Sequence, residues 1–152
     1  SGQKIVIFSQ YLGMIDIISD YCSDGGISHV VLTGKSVNRH GTIQRFQNDP
    51  STKVMIASLL AGGVGIDLTA ASLVIHYDRW WNASKENQAT DRVHRMGQKN
   101  FVQVMKLVTK GTLEEKINRM ILAKSDISER FLEKDTEVFR TFGREDLIEL
   151  LS

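Results

Sequence analysis

The chain has 152 residues, of which 41% are hydrophobic, and this is enough for one domain with a buried core. Its 19 Lys and Arg residues nearly balance its 18 Asp and Glu residues, so the formal net charge of +1 does not by itself indicate a nucleic acid or a membrane as partner. The single cysteine, Cys22, excludes an intramolecular disulfide and disfavours a cysteine-based zinc site. No apolar run approaches the roughly 20 residues that span a bilayer, and we expect no membrane partner.

Strands and helices are predicted to alternate along the chain. Short apolar runs predict strands at 4–8, 29–33, 53–58, 73–77 and 101–108. Apolar residues at helical spacing predict helices after Leu12, around Ile43 and Phe46, and over 84–96. The alternation predicts an α/β fold with a parallel sheet and helices on both faces, because each crossover helix packs back onto the sheet. Ligands are expected at the carboxyl ends of the strands.

A longer helix is predicted after the last strand. The segment 112–115, Thr-Leu-Glu-Glu, predicts a capping box at its start. Four apolar residues of this helix share one face: Leu113, Ile117, Met120 and Ile121. The amphipathic segment 144–151 is expected to pack on this helix or on a neighbouring lobe. We therefore expect one lobe over residues 3–111 and a C-terminal helical extension over 112–152.

The first segment that could carry chemistry contains Gln88, Arg92 and Arg95. They stand at positions i, i+4 and i+7 of a predicted helix and would share a face. Two neighbouring guanidinium groups repel each other, so an anionic partner such as a polyphosphate would explain the arrangement. The alternative is a solvated face on which Asp91 or Glu86 forms surface salt bridges with the arginines. Spacing alone leaves both interpretations open.

The second such segment is rich in glycine and directly follows the predicted strand 53–58. Gly62, Gly63 and Gly65 would let backbone amides approach an anion closely, although a turn that needs positive φ is the alternative. Asp67 then either orients an arginine or a ribose hydroxyl, or caps a short helix.

Three segments resemble, in order and spacing, the C-terminal helicase motifs of Swi/Snf-type ATPases in helicase superfamily two: AGGVGIDLTAASLVIHYDRWWN, QATDRVHRMGQ and VMKLVTKGTLEEKI. KIVIFSQY and VLTG resemble the family's earlier motifs, so the resemblance extends over nearly the whole chain. It implies a RecA-like lobe of an ATP-driven translocase on double-stranded DNA. It also implies that the chain alone is inactive and works with an N-terminal lobe of the same protein.

The resemblance implies that Arg92 and Arg95 are catalytic arginine fingers, which reach the γ-phosphate of ATP and stabilise the charge that develops there. Gln88 is implied to shape the same interface, and Gly65 and Asp67 to face the nucleotide. The lack of family-typical insertions indicates a bacterial member, which would be cytoplasmic and nucleoid-associated; a eukaryotic member would be nuclear.

The resemblance further implies a surface for double-stranded DNA. Its residues are Ser9, Gln10, Thr33, Gly34, Lys35, Ser58, Ala61, Gly62, Gly63, Trp81 and Asn82. Hydroxyls and backbone amides at these positions would contact phosphates without reading the base sequence. Many relatives carry an arginine where this chain has Leu60, and we expect Lys35 to compensate in part. Trp80 is expected to pack in the core or an interface.

The segment Thr33-Gly34-Lys35-Ser36 resembles the end of a P-loop, but the first glycine of that signature would fall at His29. We therefore expect ATP and Mg²⁺ to be bound mainly by the N-terminal lobe. The histidines lack metal-ligand spacing, which predicts no metal site. Two alternatives to the translocase are a non-catalytic DNA or protein docking module and a Rossmann-type dinucleotide enzyme, and the glycine spacing disfavours the second.

Overall fold

A computed structural model of the chain describes residues 2–61, 66–80, 82–131 and 148, with side chains of the last helix described as far as Ser125. Five strands and four helices lie within these ranges. They are β1 (Lys4–Ser9), α1 (Leu12–Asp24), β2 (His29–Leu32), α2 (Arg39–Asn48), β3 (Val54–Ser58), β4 (Ala71–His76), α3 (Ala83–Thr90), β5 (Gln103–Lys106) and α4 (Leu113–Phe131). None of the helices within this described part is long and apolar enough to cross a membrane.

The five strands form one parallel sheet in the order β2-β3-β1-β4-β5. The register places Ser9 beside Ser58 and Phe8 beside His76. The three central strands therefore end together, and their following loops meet at one edge of the sheet. The predicted α/β fold with a parallel sheet is confirmed.

Helices pack on both faces of the sheet, as predicted, because successive residues of a strand point to opposite faces. One core cluster contains Phe8 of β1, with Phe46 of α2 and Ala89 of α3. The second cluster lies on the other face, where Ile15 of α1 packs against Ile56 of β3. Both Phe46 and Ile56 are completely buried.

β5 is more exposed than the other strands of the sheet. All four residues of this strand are exposed, and Val104 and Met105 keep 39% and 41% of their surface accessible. The apolar run 101–108 therefore gives only a short strand at the sheet edge, where a strand has a neighbour on one side.

The helix after the sheet begins where it was predicted, but its first turn is bonded differently. The backbone N–H of Glu115 donates to the Thr112 carbonyl (3.2 Å) and not to its hydroxyl, which donates to the Thr109 carbonyl (2.7 Å), so the predicted capping box does not form. The Glu115 carboxylate instead accepts from the backbone N–H of Gly111 (2.8 Å). On this helix Ile117 is buried whereas Leu113 is 52% exposed. Except for the exposed Ile148, the amphipathic segment 144–151 lies outside the described residues.

His76, the last residue of β4, is a buried polar residue of the sheet. Its ring stacks on Phe8 with the centroids 5.6 Å apart, and its Nε2 lies 2.9 Å from the Thr90 hydroxyl. Burial lowers the pKa of His76 to about 4, although the neighbouring Glu86 carboxylate raises it. Lys106 and Arg79 lower this pKa further, so the ring is neutral at pH 7.

We expect the free energy of unfolding to fall as the pH is lowered from 6.5 to 4. In this window the unfolded chain protonates His76, whose ordinary pKa is 6.5, while the folded chain keeps it neutral down to about pH 4. Neutral His76 thus contributes about 3 kcal/mol to the free energy of unfolding above pH 6.5. This contribution is lost as the pH falls to about 4. Urea unfolding of the wild type and of His76→Gln at pH 7.5 and 4.5 measures this loss. The variant should lose less stability, and equal losses would contradict the assignment.

Candidate functional site

The polar residues predicted to meet DNA gather at the carboxyl edge of the sheet. Ser9 ends β1, Ser58 ends β3 and Thr33 follows β2. The register brings Ser9 and Ser58 side by side. Gly34 and Lys35 are exposed at the same edge, whereas Ser9 and Ser58 are buried.

Ser9 and Gln10 bind the loop that follows β4. The Ser9 hydroxyl donates to one carboxylate oxygen of Asp78, and the backbone N–H of Gln10 donates to the other (3.1 Å). The Gln10 side chain donates through Nε2 to the Arg79 carbonyl (3.2 Å). Burial raises the pKa of Asp78 above its ordinary value, although the bonds from Ser9 and Gln10 lower it. The loops after β1 and β4 are therefore held together.

The residues before the glycine-rich segment are also held from within the protein. The Ser58 hydroxyl accepts from the backbone N–H of Ala61 (3.1 Å). Arg39, the first residue of α2, donates through Nη2 to the Ala61 carbonyl (2.6 Å). Leu60, which stands where many relatives carry an arginine, is 65% exposed. Arg39 therefore places a cationic side chain next to this loop.

The segment after β2 forms a turn closed by its own residues. The backbone N–H of Thr33 donates to the Ser36 hydroxyl (2.9 Å), and the backbone N–H of Ser36 donates to the Thr33 carbonyl (3.1 Å). The backbone N–H of Lys35 donates to the Thr33 hydroxyl (3.3 Å). The Lys35 ammonium is thus presented at the surface by a compact turn.

Trp80 and Asn82 lie just before the start of α3. The Asn82 side chain accepts from the backbone N–H of Ser84 (3.0 Å), as the N-cap of α3. Trp80 is half-buried and packs against the main core cluster, so its predicted packing role is confirmed. Four predicted site residues lie outside the described residues: Gly62, Gly63, Gly65 and Trp81.

Glu86 of α3 is completely buried and makes three polar contacts near the site. Its Oε1 accepts from the backbone N–H of Trp80 (2.9 Å) and pairs with Arg79 Nε at 3.2 Å. Its Oε2 pairs with Lys106 Nζ at 3.2 Å. A buried carboxylate is tolerated only with such charged donors, because removing it from water costs several kcal/mol. Glu86 thereby fixes α3 against β5 and against the loop after β4.

The segment with the two arginines is not helical. The prediction of a helix over 84–96 is wrong beyond Thr90, where α3 ends. The backbone N–H of Arg95 donates to the Val93 carbonyl (3.2 Å), which is too close in sequence for a helical bond. Val93 is completely buried, and the Arg92 carbonyl accepts from the backbone N–H of Leu68 (3.0 Å). Backbone bonds of helical spacing continue only as far as His94, whose N–H donates to the Thr90 carbonyl (3.0 Å), and tertiary contacts hold the segment beside them.

The structure nevertheless brings Asp67 close to the arginine segment, through the bond between Leu68 and Arg92. Asp67 is exposed, and its carboxylate accepts from the backbone N–H of Thr69 (3.0 Å), which closes a local turn. Arg92 is half-buried, and Arg95 is exposed. Gln88 is exposed on α3.

The family described as helicase conserved C-terminal domain matches residues 1–97 of this chain. The chain belongs to this family. A solved Swi2/Snf2 ATPase core domain of Sulfolobus solfataricus is 38% identical, with a TM-score of 0.71 over 98% of this chain and 31% of that one. A solved core of the same organism in complex with double-stranded DNA is 42% identical, with a TM-score of 0.67 over 83% of this chain and 27% of that one.

This helicase C-terminal domain also has curated relatives. An uncharacterised ATP-dependent helicase of Mycoplasma pneumoniae is 41% identical over 150 residues, which are 97% of this chain and 15% of that protein. The chain therefore spans a small part of the relatives it matches. The predicted resemblance to Swi/Snf-type ATPases and the RecA-like fold are confirmed.

Sequence reasoning about this helicase C-terminal domain missed the residues that hold the site together. Glu86 was considered only as a surface partner for the arginines, whereas both its oxygens are engaged in the interior by other groups. Its spacing to Ala89 was an available signal, because residues at i and i+3 of α3 share the buried face. Asp78, Arg39 and Gln98 carried no comparable local signal.

We expect Glu86→Ala to destabilise the helicase C-terminal domain by about 3–5 kcal/mol, because it leaves the buried Arg79 guanidinium without its carboxylate. Asp16→Ala, which removes an exposed carboxylate from α1, is the matched control and should change stability by about 0.5 kcal/mol or less. Chemical denaturation of both variants measures the difference. Replacing Glu86 and Arg79 together by Met should recover much of the loss. A Glu86→Ala variant as stable as Asp16→Ala would contradict this account.

Proposed function

We propose that this chain is the second lobe of an ATP-driven translocase on double-stranded DNA. The observation that carries the proposal is the bond from the Leu68 N–H to the Arg92 carbonyl, which holds the arginine segment beside Asp67 at the protein surface. The membership in the helicase C-terminal domain family and the likeness to a core solved with double-stranded DNA support it.

In this proposal Arg92 and Arg95 supply positive charge to ATP that is held, with Mg²⁺, mainly by an N-terminal lobe. The exposed Arg95 side chain is free to extend across an interface, while the half-buried Arg92 is anchored through its backbone. Guanidinium groups stabilise the charge that develops on the transferred phosphoryl group, an effect worth about 10³–10⁵ in rate in related enzymes. Asp67 and Gln88, both exposed, would line the same interface.

The carboxyl edge of the sheet is proposed to grip the DNA backbone. Lys35 and Gly34 are exposed there and would meet phosphates directly. Ser9 and Ser58 direct their hydroxyls to Asp78 and Ala61, so we propose that they act by shaping loops whose backbone amides face the DNA. Gln10 is proposed both to contact a phosphate and to shape a loop. It is half-buried, and its side chain donates to the Arg79 carbonyl.

Translocation would follow from alternating closure of two lobes that both hold the DNA. Residues 3–111 would form the moving lobe. Residues 112–152 would form an extension that braces the other lobe, and the exposed Leu113 and Leu122 of α4 are apolar contacts suited to that purpose.

We expect Arg95→Ala to lower the DNA-stimulated turnover of ATP by about 10³-fold or more in a protein that contains both lobes. The reason is the loss of charge stabilisation in the transition state, so the fold should be unaffected. Steady-state ATP hydrolysis with and without double-stranded DNA measures the effect. This chain without its N-terminal lobe should hydrolyse almost no ATP.

Arg45→Ala is the matched control for the arginine variant. Arg45 is an exposed arginine of α2 whose partner is Asp49 at 3.8 Å, a surface pair of small energetic value. It should leave turnover within about twofold of the wild type, because it removes only a surface pair that contributes roughly 0.3–0.5 kcal/mol to stability. Normal turnover of Arg95→Ala would overturn the finger assignment and favour a non-catalytic docking module.

We expect Lys35→Ala to weaken binding of the two-lobe protein to double-stranded DNA and to make the binding less dependent on salt. Losing one phosphate contact should reduce the slope of log K against log salt concentration by about 0.9. Fluorescence anisotropy over a salt series measures this slope. The control is Lys53→Ala, because Lys53 directly precedes β3 and so lies at the amino ends of the strands, opposite the carboxyl edge. Equal slopes for Lys35→Ala and the wild type would place the DNA surface elsewhere.

A further inference from the structure

The carboxamide of Gln98 makes an unusual number of backbone contacts. Its Nε2 donates to the carbonyls of Thr69 (3.0 Å), Ala71 (2.9 Å) and Val93 (3.2 Å). Its Oε1 accepts from the backbone N–H of Asn100 (2.9 Å). An amide nitrogen carries two hydrogens, so one of them is shared between two of the three carbonyls. Gln98 thereby joins the end of the arginine segment to the chain just before and within β4.

Arg95 lies between two attachment points provided by Gln98. On one side the Gln98 side chain binds the Val93 carbonyl, and on the other its backbone N–H donates to the Arg95 carbonyl (3.0 Å). Helix-type backbone bonds continue past the end of α3 only as far as His94, whose N–H donates to the Thr90 carbonyl (3.0 Å), so they do not reach Arg95. The orientation of the arginines therefore depends on contacts of this kind.

We propose that Gln98 is the positioning residue for Arg92 and Arg95, which it holds in place by clamping their segment onto Thr69 and Ala71. The inference rests on the proposed function, since it assigns Gln98 to the arginine-finger half-site. Gln98 itself touches neither ATP nor DNA in this proposal. Its effect would be geometric, and a misplacement of about 1 Å at a reacting centre can cost on the order of 100-fold in rate.

The test compares Gln98→Met with Gln47→Met in the two-lobe protein with saturating double-stranded DNA. Met preserves the length of the side chain and removes the N–H donors. Gln47 of α2 is the matched control, because it bonds the same stretch of chain through Ala70 N (2.8 Å) and Thr69 Oγ1 (3.4 Å). Gln98→Met should lower kcat for ATP hydrolysis between about 10-fold and 100-fold while KM for ATP stays within twofold. Gln47→Met should leave both constants near those of the wild type.

A second measurement asks whether Gln98 acts through an arginine. If it does, Gln98→Met should cost less than about twofold in a protein that already carries Arg95→Ala, because mutations within one functional unit are not additive. The same loss of kcat in both backgrounds would overturn the inference, and so would an equal loss in Gln47→Met. Normal turnover of Arg95→Ala by itself would instead overturn the proposed function.

Gly97→Ala tests the same geometry without removing any hydrogen bond. Gly97 has a φ of 102°, which a residue with a side chain rarely adopts, and a Cβ at this position would meet no atom within 4 Å. Its effect therefore comes from the backbone alone. We expect a lower kcat with an unchanged KM for ATP, even if Gln98→Met folds poorly. A Gly97→Ala enzyme with wild-type kcat would count against the inference.

Discussion

The geometry around α3 depends on one buried carboxylate, that of Glu86. Its oxygens receive a backbone N–H from Trp80 and the cationic groups of Arg79 and Lys106. The desolvation of a carboxylate costs several kcal/mol, and only closely placed charged donors offset this cost. Those donors belong to the loop after β4 and to β5. Satisfying Glu86 therefore orients α3 relative to both elements, although α3 is only eight residues long.

The loop after β4 also joins the two parts of the site. Its residues Asp78 and Arg79 accept bonds from Ser9 and Gln10, at the edge proposed to hold DNA. The Arg79 side chain then pairs with Glu86, and α3 leads into the arginine segment. The DNA edge and the arginine segment are thus connected by hydrogen bonds and an ion pair in addition to the backbone. We therefore expect occupancy of one surface to affect the other through this connection.

Much of the fold could be predicted from local pattern. Buried strands typically have short apolar sequences rich in β-branched residues, and each of β1 to β4 has such a sequence. The exposure of β5 could not be predicted, because an apolar run in the sequence does not tell whether other elements cover the strand. The end of α3 could not be predicted from local pattern, because the residues that follow it are bonded by groups outside the helix: the Leu68 N–H binds the Arg92 carbonyl and the Gln98 side chain binds the Val93 carbonyl. Within the site, family motifs indicated the residues but not their contacts.

The loss of helix after Thr90 gives the arginines a different kind of support. In an α-helix they would be oriented by neighbouring turns and would move only with the whole helix. Here the segment is bonded to Leu68, Thr69 and Ala71, which follow the glycine-rich stretch proposed to face the nucleotide. A displacement of that stretch would reach the arginine segment through the Leu68 N–H, which bonds the Arg92 carbonyl, and through the Gln98 side chain, which bonds Thr69 and Val93. The chain that follows Asp67 and the arginine segment are therefore bonded to each other, although they come from two distant parts of the sequence.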